Sequence, residues 1–297
     1  MRENRPRMRH RALTLFSLCL TLIGLAACTP AHTAADSPSR ADAVLPSDLV
    51  CFQRGSIPII LSAPHGGRVR VPGSTERTTG LTVRDENVAE IALLTAQRLT
   101  DVLGAKPYFV IAEFSRKDAD ANRTPDQAYE NPAGQAAYEA YHRALRSCVD
   151  ECRARFGAAI LIDIHGQARV PEAIIRGTRN GRTVSRLLAA GGNDALIGPD
   201  SLFGRLKKAG YTIIPDGPGD DPAQPLGHES VFDGGFIVGH YGSDNPDGVD
   251  AIQVEIGEQR THSMPRFSRD LADAIAAFYE QYLQPAAPPQ SPADAPR

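Results

Sequence analysis

Ala158-Ala-Ile-Leu-Ile-Asp163-Ile-His165-Gly166 is an apolar run broken by two polar side chains two residues apart. In an extended strand those two share one face, while the isoleucines between them point the other way. An earlier stretch, Ile57-Pro-Ile-Ile-Leu-Ser-Ala-Pro-His65-Gly-Gly67, repeats the plan: an apolar strand ending in a histidine and a glycine. Further apolar runs at 107–112, 173–175, 211–214 and 251–256 read as short buried strands. Between them lie helical periods. One covers 87–103, with Val88, Ile91, Ala92, Leu94, Ala96 and Leu99 at three- and four-residue spacings, and another covers 134–156, with Tyr138, Tyr141, Leu145, Cys148, Val149 and Cys152 along one side. Shorter ones fall at 201–209 and 268–283. Strands alternating with helices predict a single α/β domain with a central, mostly parallel or mixed sheet flanked by helices. Ligands of such sheets bind beyond the carboxyl ends of the strands, so His65 and His165 are expected in one cleft.

The ends of the 297-residue chain read differently. Five arginines within residues 2–11 precede an apolar stretch from about Ala12 to Ala27, closed by Leu25-Ala26-Ala27-Cys28. A basic head and an apolar run too short for a comfortable span predict an export signal over residues 1–27. The cysteine after Leu-Ala-Ala resembles a lipobox, which predicts acylation of Cys28 and a lipid-anchored protein of the bacterial cell envelope. Residues 28–47, rich in Ala, Ser, Pro and Thr, read as a flexible tether, and 284–297 as a disordered Pro/Ala tail. The globular block is 48–283.

Lys and Arg number 32 and Asp and Glu 35; removing residues 1–27 takes five Arg and one Glu, leaving 27 and 34 and a formal charge of −7. With no basic stripe, a nucleic-acid partner is not expected. Outside the export segment and Cys28, three cysteines remain, Cys51, Cys148 and Cys152, and export predicts one disulfide with one thiol left over.

Two neutral imidazoles, an acid, fixed cations and a late glutamate are the parts of metal-assisted amide hydrolysis. His65 and His165 are the candidate ligands, with Asp163 placed to orient its neighbour. A third ligand is needed. Position 68, where an H-x-x-E pattern would put an acid, is Arg68, which leaves Asp85 first and Glu86 second. Arg116, Asn122 and Arg123 are candidates for holding a substrate carboxylate. His240 lies in a Gly-rich stretch and can line the cleft, whereas His142 and His262 read as packing or surface groups. Glu255 stands inside Ala251-Ile-Gln-Val-Glu-Ile256, where a buried carboxylate needs a partner or a cleft, and it is the candidate catalytic base.

With these residues in place, the chain resembles the N-formylglutamate amidohydrolase family, related to zinc carboxypeptidases and aspartoacylases. The resemblance covers most of 57–260 and rests on Ser62-Ala-Pro-His-Gly-Gly67, Arg84-Asp85, Ser115-Arg116, Asp120-Ala-Asn-Arg123, Asp163-Ile-His165, Gly234-Gly-Phe-Ile-Val-Gly-His240-Tyr-Gly and Ala251-Ile-Gln-Val-Glu255. It departs at Ala121, where the family more often has Leu. The resemblance implies a zinc-carboxypeptidase-like sheet and one Zn²⁺ per chain on His65, Asp85 and His165. It also implies carboxylate binding by Asn122 and Arg123, Glu255 as the catalytic carboxylate, and a loop from Gly235 to Tyr241 that closes over substrate. The expected reaction is hydrolysis of an amide in an N-acylated or γ-linked acidic amino acid. A cell-wall peptide or poly-γ-glutamate is the alternative substrate, and a non-catalytic lipoprotein binding acidic ligands the alternative class.

Overall fold

Residues 49–218, 221 and 223–284 are described by a computed structural model. The export segment, Cys28, the tether and all of the tail but Gln284 lie outside the described residues. Within them no helix is long and apolar enough to cross a membrane.

Seven strands form one sheet: β1 (Val50–Gln53), β2 (Ile59–Ala63), β3 (Tyr108–Ala112), β4 (Ile160–Gln167), β5 (Ala173–Gly177), β6 (Thr212–Ile214) and β7 (Asp250–Gly257). Their spatial order is β1-β3-β2-β4-β7-β5-β6. The four pairings β2–β3, β2–β4, β4–β7 and β5–β6 are parallel, and β1–β3 and β5–β7 antiparallel. The sheet is therefore mixed, a parallel centre with antiparallel joints toward each side. The described residues also hold a 3-10 helix (Arg182–Val184) and nine α-helices: α1 (Val88–Leu103), α2 (Pro125–Ala128), α3 (Pro132–Phe156), α4 (Ser185–Gly191), α5 (Asp194–Ile197), α6 (Leu202–Lys208), α7 (Phe236–Tyr241), α8 (Glu258–Thr261) and α9 (Met264–Tyr282).

The expected strands and long helices are present with boundaries shifted by a few residues. Helix α3 begins at Pro132 rather than Gly134 because Asn131 caps it, its Oδ1 accepting the Gly134 N–H at 3.0 Å, and Pro132 needs no amide partner in the first turn. Strand β1 was not expected; its four residues are too few to show a period, and its place is fixed by pairing with β3.

Burial on both sheet faces follows the strand period. Ile59, Leu61, Ile160, Ile162, Ile252 and Val254 pack with Val88, Leu99, Leu271 and Ile275 of α1 and α9. Ile60, Leu161, Val110 and Ala251 pack with Tyr141, Leu145 and Val149 of α3 and Ile237 of α7. Each such aliphatic side chain contributes roughly 1.5–3 kcal/mol relative to exposure. On the α3 face the character changes along the strands: Leu161 is followed by Asp163 and His165, and Ala251 by Gln253 and Glu255. These polar side chains gather at the carboxyl ends of the two central strands.

Cys148 and Cys152 are free thiols buried in the core stripe of α3, and Cys51 is the disulfide-bonded cysteine. The disulfide expected among these three cysteines is thus corrected: none joins two of them, and Cys148 and Cys152 point side by side from one helix face into an apolar layer.

Candidate metal centre and cleft

Register builds the site. Strand β4 pairs with β7 so that Asp163 lies beside Gln253 and His165 beside Glu255. His165 is inside β4, which runs on to Gln167, while His65 follows the end of β2 by two residues. The glycines after His65 serve backbone packing. A Cβ at Gly66 would collide with Ala89 of α1, and one at Gly67 with the backbone of Glu113 and Phe114. That close approach brings the His65 loop against α1 and the end of β3, so its cause is the protein's own chain and not a ligand.

Three atoms converge. His65 Nδ1 lies 3.3 Å from Asp85 Oδ2 and 3.1 Å from His165 Nδ1, and His165 Nδ1 lies 3.3 Å from the same Asp85 oxygen. The far nitrogens of both rings are held by carboxylates. His65 Nε2 donates to Asp120 Oδ1 at 2.7 Å, and His165 Nε2 donates to Asp163 Oδ2 at 2.8 Å. A carboxylate can only accept, so each Nε2 carries its ring's proton, and a neutral ring turns an Nδ1 lone pair inward. Two lone pairs and a carboxylate oxygen then face one another, an arrangement that calls for a cation. Tetrahedral coordination with bonds of about 2.0–2.1 Å sets ligand atoms about 3.3 Å apart, so the triangle fits three ligands of such an ion. His65, Asp85 and His165 are the group of described residues that can hold a metal.

The neighbouring groups shift the ionisation of these side chains. Burial, the largest single influence, opposes ionisation of Asp85 and Asp120, but His65 together with His165 at Asp85, and with Arg116 and Arg77 at Asp120, outweighs it; both carboxyls are held well below the usual range. Burial also opposes charge on His165, yet Asp163, Asp85 and Glu255 together hold its pKa well above the ordinary value, so with no metal ion in the triangle a proton on the inward Nδ1 takes the place of the cation. Asp163 is further fixed by a buried chain in which Tyr141 lies 2.7 Å from the Ser62 hydroxyl and Ser62 donates to Asp163 Oδ1 at 2.6 Å.

Glu86, the second choice for the carboxylate, has a side chain 67% exposed and pairs loosely with Arg84. Glu255 is buried beside the triangle, and Gln253 Nε2 donates to its Oε1 at 2.9 Å. The Gln253 oxygen accepts from the Gly235 N–H at 2.7 Å and from Asn122 Nδ2 at 3.3 Å, which fixes the orientation of its amide. Burial pushes the Glu255 carboxyl up to about 7, the His165 and His65 rings pulling it partly back.

His65, Asp85, His165, Gln253 and Glu255 line one cleft of about 700 Å³. Of the residues expected to bind substrate, Arg116 is committed to the protein: Nη1 donates to Asp85 Oδ1 at 3.1 Å and Nε to Asp120 Oδ2 at 3.0 Å. Asn122 is committed too, its Oδ1 accepting the Ile237 N–H at 2.8 Å. Arg123 lines the cleft with its side chain 42% exposed and only a 3.9 Å ion pair to Asp120, so it is the cation best able to meet a ligand. Arg84, quoted in the sequence only as part of a motif, also lines the cleft, and its Nη1 is buried without a hydrogen-bond partner.

His240 does not line this cleft. It lies on α7, stacked on Phe236 at 5.0 Å, and borders a separate depression over α3 with His142 and Arg146. The loop expected to close from Gly235 to Tyr241 is instead this helix, with Ile237, Val238 and Tyr241 buried. The chain leaves the cleft at Gly235, and the helix carries residue 240 away from it. Asp120 was missed as a partner of His65 because it comes from a loop that no periodicity describes.

His142 is a packing histidine. Nε2 donates to the Ala121 carbonyl at 3.0 Å, Nδ1 lies 3.0 Å from the Tyr241 hydroxyl, and burial pushes its pKa down to about 4. A folded-state pKa below the unfolded value of about 6.5 gives stability that is full above pH 6.5 and is lost as pH falls toward 4. Replacing His142 by Gln should flatten the stability–pH curve in that window, by on the order of 2 kcal/mol, in urea titrations at pH 4.5 and 7.

Fold and site together define a class: an α/β domain carrying a His–Asp–His cluster able to bind a metal ion, with a glutamate beside it. Comparison with known proteins narrows this. A family model described as N-formylglutamate amidohydrolase matches residues 132–261, a span that includes His165 and Glu255 but not His65 or Asp85. An N-formylglutamate deformylase of Pseudomonas aeruginosa is 24% identical over 281 residues, 80% of this chain and 95% of that protein. One from Pseudomonas putida is 24% identical over 279 residues, 80% of this chain and 94% of its own. A crystal structure of an N-formylglutamate amidohydrolase from Ralstonia eutropha JMP134 covers 79% of this chain and 98% of its own, with a TM-score of 0.56 at 16% identity, a likeness of fold. The family match covers the second half of the domain, the two deformylases are likenesses of sequence over most of the chain, and the Ralstonia structure is a likeness of fold alone.

Proposed function

We propose that the protein is a zinc-dependent amidohydrolase acting on an N-acylated or γ-linked acidic amino acid. The observation that carries this reading is the inward triangle of His65, Asp85 and His165 with Glu255 on the adjacent strand. A zinc ion held by the triangle would supply Lewis acidity toward the substrate carbonyl and toward water. The chain's own residues supply the rest. Glu255, whose carboxyl is poised near neutrality, takes a proton from the attacking water and returns it to the leaving nitrogen. Gln253 holds one Glu255 oxygen in place, leaving the other for that transfer. Arg123, with Arg84, receives the substrate carboxylate, and Asp120 and Asp163 keep the two imidazoles in the tautomer that faces inward.

Activity and metal content test the reading together. The purified protein should carry about one zinc per chain and release glutamate from N-formyl-L-glutamate or a γ-glutamyl amide. Chelation should abolish turnover and zinc should restore it. No tightly held metal after zinc is supplied would overturn the proposal in favour of a binding protein for acidic ligands. We propose further that Cys28 is acylated and tethers the domain to the cell envelope, supported by the Leu-Ala-Ala-Cys28 sequence after an apolar run. Loss of detergent-phase partitioning in Cys28→Ala is the expected result.

A further inference from the structure

Few large hydrophobic side chains are exposed among the described residues, and two of them, Leu81 at 61% and Val83 at 71%, lie on one segment bordering the cleft. That segment is held firmly. Arg77, itself buried, donates from Nη1 to the Leu81 carbonyl at 3.0 Å and from Nη2 to the Thr79 carbonyl at 3.0 Å. Arg116 donates to the Val83 carbonyl at 3.3 Å while its other contacts secure Asp85 and Asp120. Val83 is thus fastened to the same guanidinium that organises the metal centre, and Leu81 to the neighbouring Arg77. Val231 and Phe232 add apolar lining to the cleft. Covering two water-exposed aliphatic side chains is favourable, and their pinned backbone reduces the ordering needed when a ligand does so.

We propose that this wall binds the acyl group of the substrate, and that the cleft takes N-acyl derivatives of an acidic amino acid whose acyl chain has several carbons. The inference rests on the amidohydrolase reading above and names its substrate class. The carboxylate end meets Arg123 and Arg84, the amide lies at the metal centre, and the aliphatic chain covers Leu81 and Val83. A formyl group, with one carbon and no methylene, leaves that wall in water. A cleft of about 700 Å³ lies in the range that encloses much larger ligands than a formylated amino acid.

Calorimetric titration of the zinc-supplied Glu255→Gln protein with N-formyl-, N-butanoyl- and N-hexanoyl-L-glutamate measures the wall without turnover. Affinity should rise about fourfold per added methylene, and the rise should vanish in a Leu81→Ser/Val83→Ser version, whose changes are on the surface. Equal affinity for all three ligands, a chain-length dependence that survives the double substitution, or no binding by any of them overturns the proposal. Turnover of the same three compounds by the unsubstituted protein is read separately. If none is hydrolysed, the amidohydrolase reading fails while the affinity series still decides the wall.

Discussion

Glu255→Gln lowers kcat by about a thousandfold while the protein keeps its metal and its fold. The substitution preserves shape, and the amide oxygen at position 255 can still accept the Gln253 N–H that now reaches Glu255 at 2.9 Å. What it removes is a site for the proton. General acid–base catalysis contributes roughly 10²–10⁴ in rate, so the loss corresponds to about 4 kcal/mol of barrier. A second result is expected from the same variant. Because burial raises the Glu255 carboxyl to about 7, its ionised form disfavours the folded state above the unfolded value near 4.5. The neutral amide carries no such penalty, so in chelator at pH 8 the variant should melt at the same or a higher temperature than the parent. Steady-state kinetics with elemental analysis check the first result. Turnover unchanged by Glu255→Gln would remove Glu255 from the chemistry.

His165→Ala has the opposite signature: the metal is lost and activity falls to background. The substitution deletes one of the three inward atoms and leaves Asp163, fully buried, with Ser62 as its remaining donor. Two ligands hold zinc far more weakly than three, and a stranded buried carboxylate costs about 3 kcal/mol of stability. His65→Ala should lose the metal alike but cost less stability, since Asp120, stripped of its 2.7 Å partner, keeps Arg116 and the Asn122 N–H. Zinc content after dialysis and urea unfolding report the two effects separately. Stoichiometric zinc retained by His165→Ala would show that the triangle is not the binding site. Together the two substitutions separate a group that transfers protons from a group that holds the ion.

Much of this architecture is legible in the chain because the strand period is short and strict. Asp163 and His165, two apart in an apolar run, announce both their shared face and their end of the sheet, and Gln253 and Glu255 do the same on β7. What the sequence hides is the pairing between runs. That β7 lies beside β4, with Glu255 at the level of His165, depends on contacts across roughly ninety residues of chain, which no local pattern encodes. The roles of loop residues are hidden for a related reason. Arg116 and Asn122 have the chemistry to bind a carboxylate, and only the fold reveals that their hydrogen bonds are already spent on Asp85, Asp120 and the start of α7. His240 looks like a cleft residue while Gly234-Gly235 reads as loop; once α7 forms, it belongs to another surface.

The parallel pairing of β4 and β7 has a consequence for how such a protein can change. Neighbouring strands lie about 4.8 Å apart whatever their sequence, so the spacing of Glu255 and His165 is a property of the sheet rather than of any loop. A slip of one residue would turn one partner to the opposite face and destroy the pair outright, whereas graded misalignment is not available. The rim containing Leu81, Val83 and Phe232 is free of that constraint. Variation there can retune what enters the cleft while the reactive centre stays locked, which separates the evolution of selectivity from the maintenance of chemistry.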